Sequence, residues 1–217
     1  CITRGVGTMN WMEMSLTDFQ DALASKSATP GGGTAAAVAL GQAAALTEMV
    51  CSLTIGSEKW SEGWSAAENA RVVAAEVLSH AGRLANEDSA AFDTVVAAFR
   101  MPKATEEEKE LRRKSIREGT LRAAMVPLET AKKGMELLHT LESIASKGNG
   151  NAASDVGVAS LLASAAVKGA LFNVEINVAS LPPEMAAGVV EQSKGMREAC
   201  SQVARGVMHA VHDRIQS

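Results

Sequence analysis

A glycine-rich segment directly before a predicted helix is the strongest local signal for ligand binding. It consists of Pro30, Gly31, Gly32, Gly33 and Thr34. Consecutive glycines let a ligand approach the backbone closely, and the first amide groups of the following helix have no partner within that helix. Such a helix end suits an anion, either a carboxylate or a phosphate. A flexible turn without a ligand fits the same residues equally well. A Walker A phosphate loop is excluded, because no Gly-Lys-Ser/Thr follows.

Asp88 stands in the middle of a predicted helix and could act as a general base. Aspartate is unfavourable inside helices, and Asp88 lies four positions before Phe92, so both share a partly buried helix face. Burial raises the pKa of a carboxyl group, which makes it a better proton acceptor near neutral pH. The alternative, which the pattern alone favours, is a solvated aspartate on the outer side of the helix.

Polar side chains also collect at the beginning and along one face of a later predicted helix. Asn149, Asn151 and Asp155 cluster at its start, where Asp155 is typical of an acid in the first helical turn. Asn173 and Asn177 lie one turn apart on its face. Because buried amides must be hydrogen-bonded, these two asparagines indicate either a structural network or a ligand contact.

The histidines do not predict a metal site. Glu136 and His139 have the spacing found in di-iron helical bundles, but that site needs a second copy, which the sequence lacks. His209 and His212 are predicted on an exposed face of the last helix. We therefore expect no metal.

The composition predicts an all-α protein. Of 217 residues, 47% are apolar and 39 are alanine, the strongest helix former, and no segment has the alternating pattern of a strand. A net charge of -4 and an aromatic content of 3% argue against a nucleic-acid-binding surface. We expect a single up-and-down bundle of helices near 15–27, 34–55, 65–100, 105–146, 154–179 and 184–215, with Pro127 bending the fourth. The fourth helix is expected to begin with a capping box at Thr105 to Glu108.

The expected inner faces follow from helical spacing. The first helix, capped by Ser15, is expected to bury Leu16, Phe19 and Leu23. The third is expected to bury Val72, Ala75, Leu78, Leu84, Ala91 and Val95. The second and fifth helices are rich in small residues, which allows close helix packing. This predicts a tight dimer interface, with crossing inside one bundle as the alternative.

We expect residues 1–14 to be a disordered or non-native extension and residues 15–217 to form the helical domain. The three cysteines, Cys1, Cys51 and Cys200, fit neither a disulfide framework nor a metal spacing, which favours a cytoplasmic location. The longest apolar run, 34–46, is too short and too weak to span a membrane, and no targeting signal is evident.

Several of these motifs occur together in an order that resembles the cyclodeaminase/methenyltetrahydrofolate cyclohydrolase family. The similarity runs from about residue 15 to 180. Each motif alone is weak, but six in register are specific. They are the segment 30–37, Asp88 to Phe92, Pro102-Lys103 with 105–109, Val126-Pro127-Leu128, Asn151 with Ser154-Asp155, and Asn173-Val174 with Asn177.

The resemblance implies an all-helical dimer that acts on tetrahydrofolate one-carbon derivatives near the subunit interface. The chain is more similar to the cyclohydrolases, because Lys59 stands where those members carry lysine. It departs from the family pattern at Ser57-Glu58 and at Trp60. The implied reaction is hydrolysis of 5,10-methenyltetrahydrofolate to 10-formyltetrahydrofolate, without a metal or redox cofactor. The alternatives are ring closure of formiminotetrahydrofolate with loss of ammonia, and a folate-binding module without catalysis.

The resemblance also assigns roles to individual residues. Asp88 is the expected general base, and Lys59 is a cation near the reacting end or the folate carboxylates. The remaining expected substrate-binding residues are Pro30, Gly31, Gly32, Gly33, Thr34, Asn151, Asp155, Asn173 and Asn177.

Overall fold

A computed structural model describes residues 10–216, which form an α-helical bundle without strands. The predicted all-α class is confirmed. The helices are α1 Leu16–Ala24, α2 Gly32–Thr54, α3 Trp64–Phe99, α4 Glu106–Lys147, α5 Ala153–Val178, α6 Pro183–Ser193 and α7 Met196–Gln216. Short 3-10 turns occur at Trp11–Glu13, Glu58–Gly63 and Gly150–Ala152.

Side-chain caps explain where two of the helices begin. Ser15 Oγ accepts a hydrogen bond from the amide of Asp18 at the start of α1. At the start of α4, Thr105 Oγ1 accepts from the Glu108 amide, and the Glu108 carboxylate accepts from the Thr105 amide. This reciprocal capping box satisfies amide groups that the helix itself leaves open, as the sequence predicts.

The four long helices, α2 to α5, run alternately up and down and pack against each other, and α7 covers α4 and α5. Small residues bring the helices close together: a Cβ atom at Gly41 would lie 3.2 Å from the Ala81 Cβ. The core combines these small residues with larger buried side chains, including Leu40, Leu84, Leu137, Leu141, Val167 and Val207. The up-and-down order places the beginning of α2 and the end of α5 at one end of the bundle.

The small-residue faces of α2 and α5 cross inside the bundle, which was the alternative to a dimer interface. On α5, Gly157, Ala163 and Ala170 are buried against other helices of the same chain. The other side of α5 nevertheless remains exposed and largely apolar. Its exposed apolar residues are Val158, Leu161, Ala165, Phe172 and Ile176, and Ser154 and Glu175 are exposed as well.

Several predicted inner-face residues are exposed. In α1 only Phe19 is buried, whereas Leu16 and Leu23 face solvent. In α3, Val72, Ala75 and Leu78 are exposed and Val95 is only partly buried, whereas Leu84 and Ala91 are buried as predicted. The buried stripe of α3 is instead Ala70, Ala74, Val77, Ala81 and Leu84. The prediction placed the larger apolar side chains of α3 on its inner face. Because α2 approaches α3 closely, mostly small side chains fit between the two helices instead.

Two predicted boundaries also differ from the structure. The last helix, predicted as one element from Glu184 to Ile215, is divided into α6 and α7 at Gly195, whose φ of +70° is incompatible with a continuous helix. Residues 10–14, which we assigned to an extension outside the fold, pack against it: Trp11 is buried beside Phe19. Residues 1–9 lie outside the described part of the chain.

By length and composition, Gly32–Thr54 and Gly150–Val178 could cross a membrane. About half of each apolar window is buried against other helices, 50% and 56% respectively, as in the core helices of water-soluble bundles. We therefore assign both to the protein core.

Candidate active site

Asp88 lies where α3 crosses the beginning of α2. It continues the buried stripe of α3, four residues after Leu84, and its side chain is half-buried. Thr34 Oγ1 donates a hydrogen bond to Asp88 Oδ2 over 3.0 Å. Gly33 allows this approach, because a Cβ atom at that position would overlap the Asp88 carboxylate. The predicted glycine-rich segment and the predicted base therefore meet, although 54 residues separate Thr34 from Asp88.

Burial raises the pKa of Asp88 above the usual range of an aspartate, and hydrogen bonds from Thr34 oppose this shift only in part. Because the Asp88 side chain is half-buried and its carboxylate accepts from Thr34, Asp88 is not the solvated aspartate that was considered as the alternative. A carboxylate with a raised pKa in a cavity is typical of a general base.

The Asp88 carboxylate faces a small cavity of about 160 Å³. The amide groups of the first turn of α2, which have no partner within the helix, lie at its edge and give this end a partial positive charge. Thr34 itself is fully buried and holds Asp88. The cavity is lined by Ala28, Thr29, Gly31, Gly32, Gly33, Asp88, Phe92, Ala123, Asn173 and Asn177. Pro30 is buried next to this lining and is not part of it.

The two asparagines of α5 bring amide groups to the same cavity. Asn177 Nδ2 donates to the carbonyl oxygens of Ala123 and Asn173, over 3.0 and 2.7 Å. Asn173 Nδ2 donates to the Gly169 carbonyl over 3.0 Å. These bonds fix both side chains against α4 and α5, so each amide is held rigidly beside the space that a ligand would fill.

Lys59 and Asn151 line a second cavity at the opposite end of the bundle. This cavity has a volume of about 760 Å³, and the described residues that line it include no acidic side chain. Lys59 Nζ lies 4.5 Å from the centre of the Trp60 ring, and the Arg214 guanidinium lies 5.1 Å from the same ring. Arg214 also donates to the Gly148 carbonyl over 2.9 Å. The two cations make this cavity suitable for carboxylates or other anions.

Arg214 was not predicted from the sequence. It stands near the end of the last helix, 66 residues after the Gly148 carbonyl that it contacts. Only its contact with the Trp60 ring in the folded chain identifies Arg214 as a residue of this cavity. A basic residue in the last turn of an amphipathic helix is otherwise typical of a solvated helix end.

The predicted site residues therefore do not form one site within a single chain. Asp88 follows the start of α3 at Trp64 by 24 residues, so the two cavities are about 36 Å apart along that helix. Asp155 lines neither cavity and lies in the first turn of α5, where an acid favours the helix end. The arrangement separates the cavity of Asp88 from the cationic cavity of Lys59 and Arg214.

The described residues contain no group of three or more His, Cys, Asp and Glu side chains that could hold a metal ion. His209 and His212 are exposed on α7.

Comparisons with known proteins agree with this fold and with the motifs. A family model described as formiminotransferase-cyclodeaminase matches residues 15–195. A methenyltetrahydrofolate cyclohydrolase from Methylorubrum extorquens is 38% identical over 77% of this chain and 80% of its own length. A formimidoyltransferase-cyclodeaminase from Gallus gallus is 34% identical over 76% of this chain, but the match covers only 31% of that longer protein.

A solved structure of formiminotetrahydrofolate cyclodeaminase from Thermotoga maritima superimposes with a TM-score of 0.82. It is 27% identical, and the match covers 93% of this chain and 98% of that one.

Proposed function

The chain belongs to the formiminotransferase-cyclodeaminase family, and from this premise we propose that it hydrolyses 5,10-methenyltetrahydrofolate to 10-formyltetrahydrofolate. The observation that carries the proposal is the Asp88 carboxylate, held by Thr34 in a cavity at the start of α2 with a raised pKa. The cyclohydrolase relative, matched over most of both chains, supports this reaction over that of the formimidoyltransferase-cyclodeaminase from Gallus gallus, which is matched over less than a third of its length.

The substrate dictates what the protein must supply. The bridging carbon of methenyltetrahydrofolate lies between two nitrogens that share a positive charge, so it is already an electrophile. Water attacks this carbon while Asp88 takes one of its protons, which leaves a hydroxyl group on the carbon. The bond from the carbon to one ring nitrogen then breaks as that nitrogen gains this proton, and the hydroxyl group loses its remaining proton to the solvent as it becomes the formyl oxygen. The carbon remains on the other nitrogen as a formyl group. This sequence requires neither a metal nor a redox cofactor.

The neighbouring residues position the substrate for this attack. The amides of Gly31, Gly32 and Gly33 hold a polar edge of the pterin or a carboxylate at the positive end of α2. Asn173 and Asn177 orient the pterin or the attacking water. The cationic cavity of Lys59 binds the carboxylates at the other end of the substrate, and Asn151 contributes to it.

The second candidate is ring closure of formiminotetrahydrofolate with release of ammonia, which the similarity to the Thermotoga maritima structure favours. The two reactions are separated by their products. Incubation with formiminotetrahydrofolate releases ammonia only if the protein is a cyclodeaminase, whereas the proposed activity is measured as the loss of methenyltetrahydrofolate absorbance. Binding of either substrate without turnover would instead indicate a folate-binding module. A cytoplasmic location suits all three.

The exposed apolar side of α5 supports a homodimer. Leu161 and Ile176 are 59% and 72% exposed, and Val158, Ala165 and Phe172 extend the same surface along the helix. An apolar stripe of this length suggests burial against a partner. A second copy of the chain is the proposed partner, because a two-fold dimer buries the same stripe of both copies.

An antiparallel dimer through α5 would also complete the site. The cationic cavity lies at the beginning of α5, at Asn151 and Ser154, and the Asp88 cavity lies near its end, at Asn173. When two α5 helices pack antiparallel, the beginning of one lies beside the end of the other. Each Asp88 would then share a substrate with Lys59 of the partner subunit.

Mixed dimers test this arrangement. Asp88→Asn and Lys59→Met, each purified alone, are expected to retain roughly a tenth of the wild-type kcat/KM or less. When the two variants are co-expressed and associate at random, half of the dimers are mixed, and each mixed dimer has one intact site. About 25% of the wild-type rate should return. If the mixture stays as inactive as its components, Asp88 and Lys59 do not share a site across the interface.

A charge on the α5 stripe tests the dimer itself. Leu161→Glu would bury an unpaired carboxylate in the proposed interface, so we expect the dissociation constant to rise on the order of 100-fold or more. Leu111→Glu is the matched control, because Leu111 is 57% exposed on α4, away from the stripe. Analytical ultracentrifugation at micromolar concentration should show monomers only for Leu161→Glu. A monomeric wild-type protein would contradict the interface.

The raised pKa of Asp88 predicts the pH dependence of the reaction. A general base works only when deprotonated, so kcat/KM falls as the pH drops through the pKa of Asp88. The acid limb should therefore lie above the usual aspartate pKa of about 3.9. The measurement is the enzymatic rate at each pH after subtraction of the buffer-catalysed rate. A limb at or below the usual aspartate range would argue against Asp88 as the base.

A further inference from the structure

A continuous chain of side-chain hydrogen bonds leads from Trp11 to Asp88. Trp11 Nε1 donates to Ser89 Oγ over 3.0 Å, and Ser89 Oγ lies 2.9 Å from Thr34 Oγ1. Thr34 Oγ1 in turn donates to Asp88 Oδ2 over 3.0 Å. Trp11, Ser89 and Thr34 are 8%, 5% and 0% exposed, so water has little access to these bonds.

The indole group at one end and the Asp88 carboxylate at the other together set the direction of the chain, because an ionised carboxylate can only accept. An indole N–H is only a donor, whereas a hydroxyl can either donate or accept. Because Ser89 Oγ accepts from Trp11, its own proton is available for Thr34 Oγ1. Thr34 Oγ1 then accepts from Ser89, and its single proton points to the Asp88 carboxylate. Without the indole, only the ionised Asp88 carboxylate would set this direction, and protonation of Asp88 would release both hydroxyl protons.

We propose that Trp11 and Ser89 are positioning residues for the catalytic base, which they serve by keeping the Thr34 hydroxyl as a permanent donor to Asp88 Oδ2. This inference rests on the proposed role of Asp88. The Thr34 amide adds a second hydrogen bond to the same carboxylate, so this residue fixes its orientation in the cavity. Oδ1 lies against the backbone of Gly33, where a Cβ atom would overlap it.

The segment that carries Trp11 is fastened to α3 next to Asp88. The Trp11 backbone amide donates to Asn86 Oδ1 over 2.9 Å, and Asn86 Nδ2 donates to Asn10 Oδ1 over 2.9 Å. These bonds fix the position of the Trp11 indole beside Ser89. The 3-10 turn before α1 is therefore part of the support of the active site.

The charged groups around this chain are already occupied by other contacts. On α3, Glu87 pairs with Arg83 over 2.9 Å, and Asp93 accepts from Thr29 over 3.3 Å. In the Trp11 turn, Glu13 accepts from Asn10. The described cavity residues contributed by α2, α4 and α5 are uncharged. If a property of this hydrogen-bond chain changes with pH, Asp88 is therefore the nearest group whose titration can cause the change.

A nuclear magnetic resonance experiment tests the chain without requiring activity. The indole Nε1–H resonance of Trp11 is assigned by its absence in Trp11→Phe and followed as a function of pH. Hydrogen bonds in a chain polarise one another, so this resonance should move as Asp88 is protonated. The displacement should disappear in Asp88→Asn and in Ser89→Ala. A displacement that survives in Asp88→Asn would overturn the inference.

Kinetics provide the second measurement. Trp11→Phe keeps an aromatic ring beside Phe19 but removes the N–H, and we expect kcat to fall roughly 3- to 10-fold with little change in KM. The acid limb of the pH profile should move to higher pH. Phe19→Leu is the control, because it disturbs the same ring contact, at 6.2 Å between centroids, without touching the chain.

The outcomes separate this inference from the proposed function. If Trp11→Phe and Phe19→Leu lose stability alike and leave the pH profile unchanged, Trp11 is merely structural and the inference is overturned. If the wild-type protein turns over neither folate substrate, the proposed function fails. The resonance experiment then still decides whether Trp11 is coupled to Asp88.

Discussion

Asp88→Asn should lower kcat for hydrolysis of methenyltetrahydrofolate by about 10²–10⁴-fold, the usual contribution of a positioned general base. Asparagine keeps the shape of the side chain and can still accept the hydrogen bond from Thr34, which is 3.0 Å long in the wild-type protein. It cannot take a proton from water. The residual rate should come from the binding and orientation of the substrate alone.

The same variant should be at least as stable as the wild-type protein. Burial raises the pKa of Asp88 in the folded state, so above that pKa the ionised carboxylate destabilises the fold. A neutral amide removes this cost, and the thermal midpoint near pH 7 should stay constant or rise. Asp93→Asn, an exposed aspartate on the same helix, is the matched control and should keep normal kcat. Near-normal turnover by folded Asp88→Asn would remove Asp88 from the mechanism.

Gly33→Ala should reduce kcat by roughly 100-fold, because displacing a catalytic group by about 1 Å costs that much. The new Cβ atom would overlap the Asp88 carboxylate. Helix propensity alone would favour alanine by about 1 kcal/mol. For activity the overlap outweighs this propensity. The end of the Asp88 side chain can rotate away from the new Cβ atom, so the helices need not separate, but the carboxylate is then displaced. The fold should therefore survive while the base is misplaced.

Gly188→Ala provides the control for this prediction. Gly188 also lies within a helix, α6, but a Cβ atom there would have no neighbour within 4 Å. This variant should match or slightly exceed the wild-type stability and retain its kcat. Circular dichroism and thermal unfolding, measured beside the kinetics, separate a misplaced base from a damaged fold. If Gly33→Ala retains full activity, the contact between Gly33 and Asp88 has no catalytic importance.

Helix positions were predictable because local chemistry specifies them. The capping box at Thr105 and the N-cap at Ser15 are short-range patterns, and both occur as predicted. Burial was less predictable. Val72 and Leu78 have the spacing of an inner face, yet the packing partner α2 accommodates the alanines beside them instead. Which face of a helix is buried depends on its neighbours, and the helix's own sequence does not contain that information.

The division of the predicted site follows from topology. Gly31 precedes α2 and Lys59 follows it, so a straight helix of 23 residues places them about 34 Å apart. This distance between Gly31 and Lys59 could already be calculated from the length of the predicted helix. Resemblance to a family identifies functional residues without saying which chain completes a site. Trp11 escaped prediction for a different reason, since a lone tryptophan before the first helix shows no periodic pattern.

The most direct test of this account is the decay of methenyltetrahydrofolate absorbance with purified wild-type protein, compared with the slow hydrolysis in buffer at the same pH. We predict a rate that is proportional to protein concentration, yields 10-formyltetrahydrofolate and is lost in Asp88→Asn. A wild-type rate equal to that of the buffer, with ammonia released from formiminotetrahydrofolate, would contradict the proposed hydrolysis and assign the protein to the cyclodeaminases.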